Sequence, residues 1–166
     1  MKVNNIKFTM ISNKSICNTK LMKTEKYIIP FGNVKITIYW HSPLLINVTG
    51  SKSMQDVKCT KNFIETAFNV QCKNLQIDNI FYSYKDHKNI DMSALYYHVR
   101  DEFKERFAID YNIELFPGLY MKTKSKAEPT IILFRTGSYT IMGCKSINQV
   151  KEYRMFIINL LNHFVK

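Results

Sequence analysis

Apolar side chains recur along this chain with two periods. Short stretches alternate apolar with polar, the period of a half-buried strand. Longer ones place apolar residues three and four apart, the period of a helix with one buried stripe. After Ser53 the apolar positions are Val57, Ile64, Ala67 and Phe68. After Ser146 they are Val150, Tyr153, Ile157, Leu160, Leu161 and Phe164, and after Asp91 they are Met92, Leu95, Tyr96, Val99, Phe103 and Phe107. Each set falls on one face of a helix, with Ser53, Ser146 and Asp91 as N-caps. The alternating segments predict strands over 3–11, 26–29, 35–40, 45–49, 77–84, 119–124, 130–134 and 139–142. Gly32-Asn33, Ser42-Pro43, Pro117-Gly118, Pro129 and Thr136-Gly137 supply the breaks between them.

The pattern is written twice. Val48-Thr49-Gly50-Ser51-Lys52-Ser53 is matched by Ile141-Met142-Gly143-Cys144-Lys145-Ser146 at an offset of 93 residues. Met1-Lys2-Val3-Asn4-Asn5-Ile6 is matched by Leu75-Gln76-Ile77-Asp78-Asn79-Ile80 at an offset of 74, so the first copy is 19 residues shorter between its landmarks. The helix after Asp91 spans about the missing length. The expectation is a duplicated unit, residues 1–73 and 74–166, whose first copy lacks an internal helix. Consecutive strands joined by short turns imply antiparallel sheet with helices on one face.

Parity along the strands separates the two faces. In the first copy Ile6, Phe8, Met10, Ile36, Ile38, Trp40, Ile46 and Val48 point inward. Asn5, Lys7, Thr9, Lys35, Thr37, Tyr39, His41, Asn47 and Thr49 point outward, a polar and basic set. In the second copy Ile80, Tyr82, Tyr84, Ile131, Leu133 and Ile141 point inward. The outward set there holds Phe81, Ile132, Phe134 and Met142 beside Asn79, Ser83 and Thr140. That set is too apolar for a plainly solvated face and calls for a partner surface.

Charge narrows the partner. Of 166 residues 24 are Lys or Arg and 13 are Asp or Glu, a net charge of +11. Residues 1–70 hold ten Lys against three acids, and Lys122, Lys124 and Lys126 form a basic run near a strand end. Such an excess favours a polyanion. The longest apolar runs, near 131–134 and 156–161, fall far short of the ~20 residues of a membrane span. Residues 1–18 show no leader pattern, and Cys17, Cys59, Cys72 and Cys144 form no C-x-x-C pair, so reduced thiols in an intracellular protein are expected. His41, His87, His98 and His163 lack metal-site spacing, and no catalytic motif is present, so neither an enzyme nor a cofactor is expected.

The stretch Tyr111-Asn112-Ile113-Glu114-Leu115-Phe116-Pro117-Gly118-Leu119-Tyr120 resembles the second-repeat stirrup of the TATA-box-binding protein family, Y-E-P-E-L-F-P-G-L-I-Y. Ile131-Ile132-Leu133-Phe134, Gly137 and Gly143-Cys144-Lys145-Ser146 follow in the family's order, and Ile77-Asp78-Asn79-Ile80 resembles its I-Q-N-M. The resemblance implies an α+β saddle, two pseudo-symmetric repeats forming a curved antiparallel sheet with helices on the convex face. It implies that the concave face lies in the DNA minor groove; the family is itself a standard example of kinking by inserted side chains. Phe116 and Phe134 then resemble the inserted pair, Asn5 and Asn79 the central asparagines, Thr49 the threonine beside them, and Lys52 and Lys145 the phosphate-contacting lysines. Lys7, Tyr39, His41, Asn47, Phe81, Ile132, Thr140 and Met142 complete the DNA face, and Glu114 and Leu115 resemble the stirrup residues that bind TFIIB.

The departures qualify this. The first copy shows no F-P-G stirrup, the family's usual dock for TFIIA, and His41 stands opposite Phe134 at the 93 offset, with Trp40 one residue away. Lys7 replaces an apolar groove contact, Met142 a threonine, Ser138 a lysine and Asn112 an acid. The expectation is a transcription initiation factor that bends AT-rich promoter DNA and recruits a TFIIB-like factor and the RNA polymerase machinery, with TFIIA a doubtful partner and no membrane partner. The alternatives are a scaffold of this fold with little DNA affinity, and a charge-driven binder of RNA or anionic lipid. The Lys- and Asn-rich composition points to an AT-rich lineage such as a large DNA virus, acting in the nucleus or a cytoplasmic viral factory.

Overall fold

The computed structural model describes residues 3–13, 26–39, 43–125 and 128–166. Trp40, His41, Lys126 and Cys17, named above, lie outside the described residues. Among those described are nine strands and three helices, in two compact units, Met1–Asn79 and Ile80–Lys166. None of these helices is long and apolar enough to cross a membrane.

The first unit runs β1 (Asn5–Ser12), β2 (Lys26–Phe31), β3 (Val34–Tyr39), β4 (Leu45–Ser51) and α1 (Met54–Phe68), then enters β5 (Cys72–Tyr84). Its strands lie in the order β2-β3-β4-β1, every pair antiparallel. A two-residue turn at Gly32-Asn33 joins β2 to β3, as the sequence suggests. Ile6, Phe8 and Met10 of β1 pack with Ile36, Ile38, Ile46 and Val48 into a core closed by Val57, Thr60 and Ile64 of α1. The Phe31 and Phe63 rings stack 4.3 Å apart at its edge. Ala67 and Phe68, expected on the buried stripe, sit at the fraying end of α1, where Ala67 is exposed and Phe68 half-buried.

The second unit takes the rest of β5, then α2 (Met92–Phe103), β6 (Phe107–Asp110), β7 (Gly118–Thr123), β8 (Thr130–Phe134), β9 (Tyr139–Cys144) and α3 (Ile147–Asn162). Its strand order is β5-β9-β8-β7-β6, again antiparallel. Met92, Leu95 and Val99 of α2 and Val150, Tyr153, Ile157, Leu160 and Leu161 of α3 bury one stripe each. They face Ile80, Leu119, Met121, Ile131, Leu133 and Ile141. Each such side chain contributes about 1.5–3 kcal/mol by leaving water.

Two expectations are corrected. Phe107 is not on α2: the helix stops at Phe103, the Arg106 N–H closes a turn on the Phe103 carbonyl, and Phe107 pairs with Thr123 in β6. The four-residue step from Phe103 to Phe107 imitates a helical turn, and the strand it conceals was not expected. Tyr84 shares the inward register, opposite Tyr139, yet is 41% exposed because β5 ends there.

The repeat is visible in local geometry. β1 slips register against β4 between Ile6 and Phe8, and β5 slips against β9 between Ile80 and Tyr82, the same bulge at the 74 offset. Gly50 and Gly143, at the 93 offset, have φ of +100° and +98°, a backbone region costly to residues with a Cβ. Ser53 accepts the Asp56 N–H at 3.1 Å and Ser146 the Gln149 N–H at 3.1 Å. The Asp56 and Gln149 side chains reach back to the Lys52 and Lys145 N–H groups at 2.7 and 2.8 Å. These are reciprocal caps on both helices.

Candidate nucleic-acid interface

In each unit the helices cover one sheet face, and strand alternation sends the remaining side chains to the other. In the first unit Thr37, Asn47 and Thr9 line up across β3, β4 and β1, with Lys35 opposite Thr49 and Tyr39 opposite Leu45 on either side. Asn5 and Lys7 continue the row along β1, both half-buried. Asn5 has a defined orientation: its Oδ1 accepts the Gly50 N–H at 2.7 Å, where the β4 backbone turns through positive φ. The carbonyl end is thereby occupied, so the amide presents its NH2 end as a donor. The Thr9 hydroxyl lies 3.0 Å from Asn47 Oδ1 and also bonds the Asp78 carboxylate. Asn79 is half-buried, and Lys52 projects exposed beyond β4.

In the second unit the outward row is Ser83, Thr140, Ile132, Tyr120 and Asp110, from β5 to β6. A second row sets Met142 against Thr130, Lys122 and Ala108. Phe134 stands opposite Gly118. A Cβ built on Gly118 would meet Phe116 at 2.5 Å, Ile132 at 2.7 Å and Phe134 at 3.0 Å. The three side chains therefore converge over the bare glycine. The Phe116 and Phe134 ring centroids are 5.9 Å apart, and Tyr120 tilts against Phe116 at 5.1 Å. Ile132, outward by register, is only 7% exposed because these neighbours cover it, whereas Phe116 is 36% exposed. Phe81, Thr140 and Met142 are half-buried on the same face, and Lys145 is exposed.

Asn112 builds the loop that carries Phe116. Its carbonyl accepts the Leu115 and Phe116 N–H groups at 3.1 and 2.9 Å, and its side-chain oxygen accepts the Glu114 N–H at 3.1 Å. The turn throws Leu115 and Ile113 into solvent, 84% and 66% exposed, with Glu114 exposed between them. At the other end of the unit, Lys122, Lys124, Lys145, Thr130 and Met142 line an open groove of about 450 Å³. Charges gathered there suit an anion rather than an apolar guest.

Sequence reasoning missed Gly118 and Tyr120 as parts of the aromatic cluster, and Asp78 as an outward-facing acid. The first two emerge only once β7 is set in register with β8, Gly118 opposite Phe134 and Tyr120 opposite Ile132. Asp78 gave no signal, for reasons taken up below.

A duplicated antiparallel α+β architecture, with helices on one face and an aromatic cluster on the other, defines the class. Residues 74–164 match the family model "Transcription factor TFIID (or TATA-binding protein, TBP)", more than half the chain, and the chain belongs to that family. Its fold is similar to the solved structure of Methanococcus jannaschii TBP, with TM-score 0.68, 16% identity and 98% of each chain covered. No curated protein matches by sequence. The fold is the one the resemblance implied. The family is one of non-enzymatic transcription factors, with DNA and the transcription machinery as its general partners.

Proposed function

We propose that this protein binds AT-rich promoter DNA in the minor groove, bends it by inserting Phe116 and Phe134, and recruits a TFIIB-like factor through Glu114 and Leu115. The observation that carries the reading is the cluster of Phe116, Ile132 and Phe134 over Gly118, on the face away from α2 and α3. Apolar rings grouped at the end of a sheet can enter a base step and hold it unstacked. Lys52, Lys122, Lys124 and Lys145 supply phosphate partners, and the Asn5 NH2 group supplies a donor for the acceptors that line an A·T minor groove. With +11 net charge, part of the affinity is sequence-independent and falls steeply with salt.

The test is anisotropy with an AT-rich duplex across a salt titration, together with end-to-end fluorescence transfer to report bending. Wild type binds and bends; Phe116→Ala and Phe134→Ala lose bending and at least about fivefold in affinity, as expected where stacking is worth about 1–3 kcal/mol. The exposed Leu115 and Ile113 favour a second reading, a scaffold that docks on a transcription complex without DNA. That reading prevails when duplex binding is absent or insensitive to both substitutions. Equal affinity for duplex, RNA and anionic vesicles would instead assign the binding to charge alone.

A further inference from the structure

The two units differ at one sheet edge. Ile36 pairs with Val48 and Ile131 with Ile141, and Val48 matches Ile141 at the 93 offset, so β3 corresponds to β8 and β2 to β7. In the second unit β6 lies along the far side of β7, setting Phe107 beside Thr123 and Ile109 beside Met121. In the first unit β2 ends the strand order, and among the described residues no strand takes the place of β6. Part of that loss is made good within the chain. Phe31 stacks on Phe63 as Phe107 stacks on Phe156, with interplanar angles of 18° and 17°, and Phe63 matches Phe156 at the same offset. The rest is not. Leu119 and Met121 are fully buried, whereas their counterparts Tyr27 and Ile29 are 39% exposed and half-buried, and Ile28 is 43% exposed.

The β2–β3 turn fixes which backbone groups lie open. Phe31 and Val34 flank a two-residue turn and exchange both hydrogen bonds, and by alternation so do Ile29 with Ile36 and Tyr27 with Ile38. The N–H and C=O groups of Lys26 and Ile28, and the Pro30 carbonyl, therefore point away from β3. Pro30 stands where its missing N–H costs the ladder nothing. This edge is complementary to itself. Laid antiparallel on a second copy about a twofold axis at Ile28, the two Ile28 residues exchange both hydrogen bonds, and each Lys26 N–H meets a Pro30 carbonyl. Tyr27 then lies beside Ile29 of the second copy on the helix-covered face, and Ile28 covers Ile28 on the other. Each Lys26 faces a proline rather than the other lysine, and the register lies wholly within β2. We propose that the protein forms a twofold dimer by pairing its β2 edges. The match of β2 to itself, apolar against apolar, selects a second copy over a foreign strand, and a twofold contact closes at two chains. The net charge of +11 on each copy opposes the contact, so salt tightens it, the reverse of its effect on DNA binding.

The experiment is sedimentation velocity of the full chain over a wide concentration range, at low and high salt, with amide exchange followed at Ile28. The expected result is a reversible monomer–dimer equilibrium that salt strengthens. Exchange at Ile28 should slow as the dimer forms, while the Tyr27 and Ile29 N–H groups, bonded to β3, stay protected throughout. Ile28→Lys sets like charges opposite each other at the axis and should weaken the dimer roughly tenfold. Ile28→Pro removes an N–H that β3 does not use and should weaken it as much. A protein monomeric at every concentration overturns the proposal, as does a dimer that salt weakens or that either folded variant leaves intact. An Ile28 amide already protected in the monomer overturns it too, because the edge is then filled within the chain. So does one that exchanges freely in the dimer. The exchange measurement needs no variant, so it decides the matter whatever the substitutions do to folding.

Discussion

Gly118 is the floor on which Phe116 rests. A Cβ at that position would stand 2.5 Å from the Phe116 ring, closer than two carbons approach without displacement. Gly118 is itself buried, in register with Phe134 across the β7–β8 pair. One missing side chain thus fixes where both rings sit.

Gly118→Ala should therefore act on binding more than on folding. The added methyl pushes Phe116, at the end of a loop, and Phe134, at the end of β8, apart. Overpacking of this kind costs about 1–3 kcal/mol when the surroundings are rigid, as buried Ile132 at 2.7 Å is, and less where the obstructing atoms are ring edges free to turn outward. The expected outcome is a drop in stability within that range with a loss of duplex bending comparable to Phe116→Ala. Unchanged bending would show that the rings do not depend on this floor.

The N-terminus of α1 should titrate. Asp56 accepts the Lys52 N–H, and that bond, followed by its contacts with Ser53, holds its carboxyl below the usual range. A group with a depressed folded pKa contributes stability above its unfolded pKa, about 4, and loses that contribution as pH falls through the lower folded value. Asp56→Asn should lower stability at neutral pH and flatten the acid side of the stability curve. Ser53→Ala should cost about 0.5–2 kcal/mol and flatten that acid slope only in part, because the Lys52 N–H bond remains. Urea melts from pH 7 to pH 3 separate the two; parallel curves for wild type and Asp56→Asn would refute the assignment.

Much of this was legible in the sequence because strands and helix caps are local. The outward and inward sets of β1, β3, β4 and β8 follow from simple alternation, and Ser53, Asp91 and Ser146 sit where caps must be. What failed was non-local or irregular. Phe107 kept a helical spacing after its helix had ended. Asp78 lies in the stretch of β5 between Asn74, at φ +52°, and the bulge after Ile80, where burial does not alternate. Simple alternation from Ile80 puts Asp78 on the covered face, whereas its carboxylate bonds Thr9 on the other. The aromatic floor at Gly118 required knowing which residue of β7 pairs with Phe134, a register no single strand contains.

Thiol chemistry gives an independent check on packing. Burial pushes the Cys72 and Cys144 thiols up to about 11, while Cys59 stands exposed on α1. The thiolate is the nucleophile, so buried thiols of raised pKa are inert near neutrality. In a Cys17→Ser background, maleimide at pH 7.5 should add once to the native protein, at Cys59, and three times after denaturation. Rapid native labelling of Cys144 would mean that β9 opens readily against α3.

The two bulge glycines should differ in cost. Gly50 and Gly143 share a positive φ that penalises any side chain by about 1–2 kcal/mol. Their surroundings differ: a Cβ at Gly50 would lie 2.3 Å from the Asn33 carbonyl oxygen, a backbone atom held in the β2–β3 hairpin, whereas at Gly143 the nearest atom is Pro129 Cα at 3.5 Å. Backbone cannot rotate aside as a ring can, so Gly50→Ala must move β4 or the hairpin. That shift also pulls the Gly50 N–H from Asn5 Oδ1 and releases the asparagine side chain it orients. Gly50→Ala should therefore destabilise the protein by at least about 2 kcal/mol more than Gly143→Ala does, adding overpacking to the backbone penalty. Any folded Gly50→Ala protein should bind the AT-rich duplex less well than Gly143→Ala at equal folded fraction. Equal urea midpoints for the two variants would show that the carbonyl of Asn33 yields more easily than its place in a tight hairpin allows.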